Sequence, residues 1–241
     1  LRALYSRNIP NLMMAGRNIS ATHAAFTSTR VMATCASVGQ AAGTAAAQCV
    51  KNGLTPRQMA RDAKRISVLQ QTLLRDDQSL RGLRNEDPAD LARTASVEAS
   101  SELAHAPAKN VINGWVRDVP GKQVHQWQGR LEEGGAWIEL RWPNAVTLRE
   151  VQVTFDTGFQ RELTLTASDS HNKGMVRAAQ PETVRDYRLL AGTREIAAVK
   201  GNHQRLNRVR FEPVQTDRLR LHIAATNGSD LARVFEIRCY A

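Results

Sequence analysis

Arg30 stands at the head of twenty residues, 31–50, that carry no charge before Lys51. A guanidinium in that position can bind a substrate carboxylate, or it can close an ion pair at the start of a helix. Thr27-Ser28-Thr29, just before it, offers hydroxyl caps for a first helical turn. The unpaired amides of that turn then present partial positive charge to an electron-rich group. The run itself is built of small residues: Ala33, Ser37 and Ala41 on one repeat, Gly39, Gly43 and Ala46 on another. Such a surface lets a neighbouring backbone or a flat ligand approach closely, and a packed alanine-rich core helix with ordinary caps fits the same residue types. About 30 Å long if helical, the run meets the length of a membrane span. It lacks Leu, Ile and Phe and carries Thr34, Ser37, Gln40, Thr44 and Gln48, which makes it too polar for lipid and assigns it to a helix inside a protein.

The elements around this helix follow from their boundary residues. Asn52-Gly53 predicts its end, and Thr55-Pro56 predicts a new start with Thr as cap and Pro at the first helical position. Apolar residues at helical spacing from Met59 to Leu74 predict a helical hairpin or two short helices as far as Asp76. Residues 77–93 turn polar and aperiodic and are assigned to a linker. Beyond them the period changes from 3.6 to 2. WIELRW, LREVQVTF, ELTLTAS, RDYRLL, REIAAV, NRVRF, RLRLHIAA and ARVFEIRCY predict about eight short strands in an antiparallel β-sandwich over 94–241. There Trp115, Trp127 and Arg130 are the candidate ligand-binding residues: aromatic faces suit the apolar faces of sugar rings and Arg supplies hydrogen bonds. For Trp115 and Trp127 core packing is the stronger reading. Trp137, Phe155, Phe211 and Phe235 are read as packing residues.

NLMMAGRNISATH followed by TRVMATCASVGQAAGTAAA resembles the C-terminal flavin-binding signature of a bacterial family of FAD-dependent oxidoreductases, distant relatives of the fumarate reductase and succinate dehydrogenase flavoproteins. The resemblance covers residues 1 to about 75. It implies a strand over 11–15 running into a Gly turn under the flavin, with Gly16, Arg17, Asn18 and Ser20 lining FAD. The amides of Arg30, Val31 and Met32 would face the flavin carbonyl. Relatives commonly carry an acidic residue after this Gly, and Arg17 stands there instead. The same resemblance makes His23 a candidate for polarising substrate or exchanging a proton, and Arg30 a candidate for stabilising charge on reduced flavin. The implied function is hydride transfer between non-covalently held FAD and a small organic, carbohydrate-derived substrate.

TASVEASS, the AKNVING turn, His125-Gln126-Trp127, WIEL and the closing VFEI resemble, in that order, the discoidin-like or galactose-binding-like jelly rolls of carbohydrate-binding modules. Several members of that group hold Ca²⁺ with an Asp before the Gly and a Glu in the last strand. Asn113 replaces the Asp here, and Glu236 alone does not make a site, so no metal is expected. The chain is thus read as a multidomain α+β protein. Residues 1–76 are the helical C-terminal segment of an FAD-binding α/β domain, and 94–241 form a galactose-binding-like jelly roll. A glycan-binding module with a vestigial flavoprotein tail is the alternative.

Composition narrows the remaining classes. At 42% hydrophobic the 241 residues suit globular domains. Of the net charge of +10, most comes from residues 1–80, with 10 basic and 3 acidic side chains. No basic run with interleaved aromatics marks a nucleic-acid footprint. Cys35 and Cys49 lie roughly 21 Å apart on one helix, beyond disulfide reach, and with Cys239 are read as buried thiols. The sequence contains no Gly-x-Gly-x-x-Gly fingerprint, so the phosphate-cradling half of a dinucleotide fold is expected in a missing N-terminal part of a longer protein. These 241 residues alone are therefore expected not to retain FAD. Purified protein with stoichiometric flavin absorbance would contradict this.

Overall fold

The computed structural model describes residues 1–161 and 164–241 and divides the chain into two compact units, Leu1–Asn85 and Glu86–Ala241.

In the first unit, α1 (His23–Thr29) precedes the long α2 (Met32–Lys51), and α3 (Pro56–Arg61) and α4 (Ala63–Arg75) follow. The long helix ends where its sequence dictates. Gly53 takes φ +63°, a left-handed conformation that L side chains resist, and the Leu54 amide donates back to the Cys49 carbonyl oxygen at 2.9 Å. Thr55 and Gln58 then form a reciprocal capping box ahead of Pro56. Asp62 breaks the hairpin into two helices by accepting from the amides of Lys64 and Arg65 at 2.9 and 3.2 Å. Ala45 and Cys49 of α2 pack on Met59, Leu69 and Leu73, and Gln48 Nε2 reaches Thr72 Oγ1 at 3.0 Å. Burial pushes the Cys49 thiol up from its ordinary pKa.

Two expectations for this unit change. The helix expected to be buried presents most of its surface: of its residues only Ala42, Ala45 and Cys49 are buried, and a Cβ built on Gly39 or Gly43 meets no atom within 4 Å. Its small-residue face is therefore open, because α3 and α4 cover one side only. The strand expected over 11–15 is reduced to a single bridge, Tyr5 to Met13. Two flanking bonds hold it, Met14 N to the Leu4 carbonyl oxygen at 2.8 Å and Ser6 N to that of Leu12 at 2.9 Å. No further strand pairs with it among the described residues.

The second unit is an antiparallel β-sandwich of β1 (Ser96–Ala99), β2 (Trp127–Arg130), β3 (Ala136–Phe155), β4 (Val184–Ala191), β5 (Arg194–Val199), β6 (Leu206–Thr226) and β7 (Leu231–Tyr240), with a short α5 (Asp169–Gly174). The pairing order is β2-β7-β3-β6-β4-β5, with β1 on β3. WIELRW and LREVQVTF, read as two strands, are one strand, β3. NRVRF and RLRLHIAA likewise merge into β6, because Pro143 and Pro213 fall at irregular positions within continuous strands. The register shift between Leu148 and Glu150 exchanges faces: Ile138, Leu140 and Leu148 point into the core before it, Val151, Val153 and Phe155 after it. Of the expected strand ELTLTAS, Glu162 and Leu163 lie outside the described residues. Residues 164–168 form no strand, and Ser168 caps α5 instead.

The start of this unit reaches into what the sequence assigns to a linker. Ala92 is fully buried in the sandwich core, Trp142 Nε1 donates to the Leu91 carbonyl oxygen at 2.8 Å, and Asp90 Oδ1 accepts from the Cys239 amide at 2.9 Å. On the reverse face of β3 and β7, Arg238 pairs with Glu236 at 2.6 Å, with side chains 1% and 2% exposed.

Residues 86–241 are expected to fold alone and unfold in one cooperative thermal transition. Starting the chain at residue 94 instead should destabilise it by about 2 to 5 kcal/mol, the order of a large core deletion. A gradual, non-cooperative melt, or equal stability of the two chains, would contradict this division.

Candidate functional site

In the first unit the segment 13–20 is laid over residues 3–5 by the Met14 to Leu4 bond and by Ser20 N donating to the Ala3 carbonyl oxygen at 2.9 Å. Between them Gly16–Asn18 make one tight turn entered by Gly16 at φ +77°. Gly16 is half-buried, while Arg17, Asn18 and Ser20 are exposed. Asn18 and Ser20 share a cleft of about 610 Å³ with Arg2, Arg7, Arg57 and Arg61. Gly16, Arg17, His23, Arg30, Val31 and Met32 do not line it.

His23 is the exposed first residue of α1, whose cap is Thr22 Oγ1, accepting from Ala25 N at 3.3 Å. The hydroxyls expected to cap α2 belong to α1: Thr27 donates to the Ala24 carbonyl oxygen at 3.0 Å, and Ser28 and Thr29 donate to that of Ala25, each at 3.2 Å. The Arg30 amide, expected to face a ligand, donates to the Phe26 carbonyl oxygen at 3.2 Å, and its guanidinium lies 5.9 Å from the Phe26 ring centre. That leaves the head of α2 beginning at Val31 without a side-chain cap, flanked by Val31 and Met32 at 53% and 89% exposure. Amides without side-chain partners beside exposed apolar side chains are what a flat, carbonyl-bearing ring can use.

In the sandwich the proposed aromatic trio does not form a platform. Trp127 is wholly buried, with its indole N–H donated to the Ser101 carbonyl oxygen at 2.9 Å. Trp115 is half-buried and stacks on His125 with ring centres 5.3 Å apart, and Arg130 is exposed at the end of β2. Burial lowers the pKa of His125, and the charge of Asp118 opposes that shift. Trp137, read as a packing residue, lies half-buried under the Arg220 guanidinium at 4.3 Å. Asn113 Oδ1 accepts from the Trp115 amide at 2.8 Å, and Glu236 is engaged by Arg238. No group of three or more His, Cys, Asp or Glu that could hold a metal occurs among the described residues.

A different cavity, also about 610 Å³, opens between Thr157, Phe159, Gln180, Thr183, His203 and Asn227. The turn that carries Phe159 requires Gly158: its φ is +69°, and a Cβ there would lie 2.5 Å from Arg161 Nη2. Arg205 lies 4.8 Å from the Phe159 ring centre and 4.7 Å from that of Phe235, and donates to the Phe155 carbonyl oxygen at 2.7 Å. Behind the cavity Arg161 grips Glu182 with both terminal nitrogens, and these hydrogen bonds hold the Glu182 carboxyl below the usual carboxylate range. Among the described residues no Asp, Glu, Lys or Arg lines the cavity itself. Thr183 Oγ1 is buried there without a hydrogen-bond partner, and Asn227 uses its Nδ2 on the carbonyl oxygens of Thr183 and Asn202 at 3.0 and 3.1 Å. The sequence reading missed this group because its members come from separate loops. The one local signal was Phe159, an aromatic residue directly after a turn.

Comparison with known proteins separates the same two parts. Residues 1–73 match the family described as FAD dependent oxidoreductase, and residues 90–183 match a domain of unknown function, DUF7402. No curated protein sequence matches. Among solved structures the chain is similar to CpGH89CBM32-5 from Clostridium perfringens in complex with GalNAc-beta-1,3-galactose (16% identity, TM-score 0.46, 63% of this chain and 99% of that one). It is also similar to the family 32 carbohydrate-binding module from Streptococcus pneumoniae EndoD (13%, 0.45, 63% and 98%), and to chitosan-binding module 1 of a chitosanase/glucanase from Paenibacillus sp. IK-5 (15%, 0.44, 63% and 98%). The chain thus joins a segment that matches the FAD dependent oxidoreductase family to an antiparallel β-sandwich.

Proposed function

We propose that residues 1–76 are the C-terminal segment of the flavin site of an FAD-dependent oxidoreductase domain, and that the sandwich is its saccharide-binding module. The substrate of the whole protein is then a small, carbohydrate-derived compound. The observation that carries the flavin reading is the head of α2, which has no side-chain cap and lies within the 73 residues that match the FAD-dependent oxidoreductase family. Gly16, Arg17, Asn18 and Ser20 would hold the cofactor together with the amides of Val31 and Met32. Arg30 would contribute its guanidinium rather than its amide, and His23 would exchange a proton with substrate. FAD, when bound, supplies hydride acceptance and donation. The chain's own residues orient it and keep an apolar surface against it. The remaining contacts, to pyrophosphate and adenosine, fall to a dinucleotide-binding partner segment of the same protein.

A polypeptide carrying these residues behind a dinucleotide-binding segment tests this reading through Gly16→Val. A β-branched residue at φ +77° costs roughly 1 to 3 kcal/mol, and retained flavin should fall about tenfold. Gly53→Val is equally strained, at φ +63° but at the other end of α2, and should leave flavin content unchanged. Equal flavin loss in both variants would overturn the reading.

The saccharide reading rests on the uncharged, hydrogen-bonding cavity at Thr183, His203 and Asn227. It also admits the alternative of a non-catalytic carbohydrate-binding module, which needs no flavin. A polyhydroxylated neutral ligand can satisfy Thr183 Oγ1, a group whose isolation costs about 1 to 3 kcal/mol. In residues 86–241, Thr183→Val should therefore keep or raise the melting temperature while weakening calorimetric binding of galactosides or chitooligosaccharides about tenfold. Unchanged affinity in Thr183→Val and in His203→Ala would place the ligand elsewhere.

A further inference from the structure

The cleft of the first unit is unlike the cavity of the second in its charge. Arg2 and Arg7 come from the N-terminal segment, and Arg57 and Arg61 come from α3, four positions apart and so on one helical face. No Asp or Glu lines the cleft, and none of the four guanidinium groups makes an ion pair among the described residues. The acid next in sequence, Asp62, is engaged by the amides of Lys64 and Arg65 and by the Arg65 guanidinium at 3.3 Å. The walls are fixed rather than frayed. Arg57 donates to the Arg7 carbonyl oxygen, Ser6 Oγ accepts from Asn8 N and Ile9 N at 3.2 and 3.1 Å, and Ser20 N is bound to Ala3.

Four guanidinium groups facing one cleft with no counter-charge repel one another, and an anion relieves that repulsion. Guanidinium forks match carboxylate and phosphate oxygens two at a time. A volume of about 610 Å³ exceeds a single simple anion and lies within the range of small-molecule sites. We propose that this cleft binds a small organic ligand carrying at least two anionic oxygen groups, phosphate or carboxylate, held between Arg2 and Arg7 on one side and Arg57 and Arg61 on the other. The four arginines are not among the residues assigned to flavin, although Asn18 and Ser20 line the same cleft, so the test below reads the arginines alone, in a chain free of flavin.

Equilibrium dialysis of the 241-residue chain against pyrophosphate and, separately, citrate tests the site. Saturable binding of one ligand per chain, weakening with added salt, is expected. Saturation by pyrophosphate alone assigns phosphate chemistry, and by citrate alone carboxylate chemistry. The double variant Arg57→Gln/Arg61→Gln should lose affinity about tenfold or more with an unchanged helical circular dichroism signal. If that variant loses its helical signal, the single Arg61→Gln, at an exposed helix end, carries the same comparison. Arg194→Gln, on the exposed β5 of the other unit, should change nothing. No saturation by either ligand at millimolar concentration, affinity unchanged in the α3 variants, or an equal loss in Arg194→Gln would overturn the proposal.

Discussion

The pairing of β3 with β6 along nearly their whole length is the constraint on which the sandwich depends. Two strands of 20 and 21 residues can share a ladder only if each remains apolar toward the core on whichever side the core lies. The register shift between Leu148 and Glu150 makes this possible by moving the inward positions from even to odd numbers. Its consequence appears on the reverse face, where Glu150, Gln152 and Thr154 now stand opposite Tyr240, Arg238 and Glu236. These polar side chains are buried, so they are held by one another and by β6: Arg238 to Glu236, Arg210 to Glu150 at 2.7 Å and Arg208 to Gln152 at 3.1 Å. Removing one partner of the buried Arg238 and Glu236 pair would leave an uncompensated charge, which is costlier than the pair is stabilising. A rigid ladder of this kind lets loops at its ends carry a cavity such as that around Thr183.

The first unit is organised differently. Its core is small, built where α2 meets α3 and α4, and the rest of α2 offers Val31, Met32 and the glycine face outward. The two units also differ in the chemistry of their recesses. One is lined by four arginines, the other by amides, hydroxyls and an imidazole. What their side chains lack differs as well: a counter-charge in the first, a hydrogen-bond partner for Thr183 Oγ1 in the second.

Local chemistry made much of this legible in the sequence. Asn52-Gly53 and Thr55-Pro56 end and restart helices through left-handed backbone and capping, effects decided within a few residues. Period-2 alternation gave most strands and the antiparallel sandwich. The misses were decided at longer range. Pro143 and Pro213 mark irregularities inside β3 and β6, a fact that depends on pairing partners dozens of residues away. Thr27, Ser28 and Thr29 have the composition of caps for α2, yet they sit inside α1, and their hydroxyls turn back to its carbonyls. Trp127 offered an aromatic face in the sequence, and the core took it. The cavity residues Phe159, Thr183, His203 and Asn227 share no motif because the fold alone brings them together.

Hydrogen exchange at the head of α2 bears most directly on the central claim, that residues 1–76 supply part of a flavin site. In a flavin-loaded polypeptide carrying this chain, amides of 14–20 and 31–34 should exchange markedly slower than in the flavin-stripped protein, with 86–241 unchanged. Equal exchange at 14–20 and 31–34 in both states, with protection confined to other segments, would contradict it.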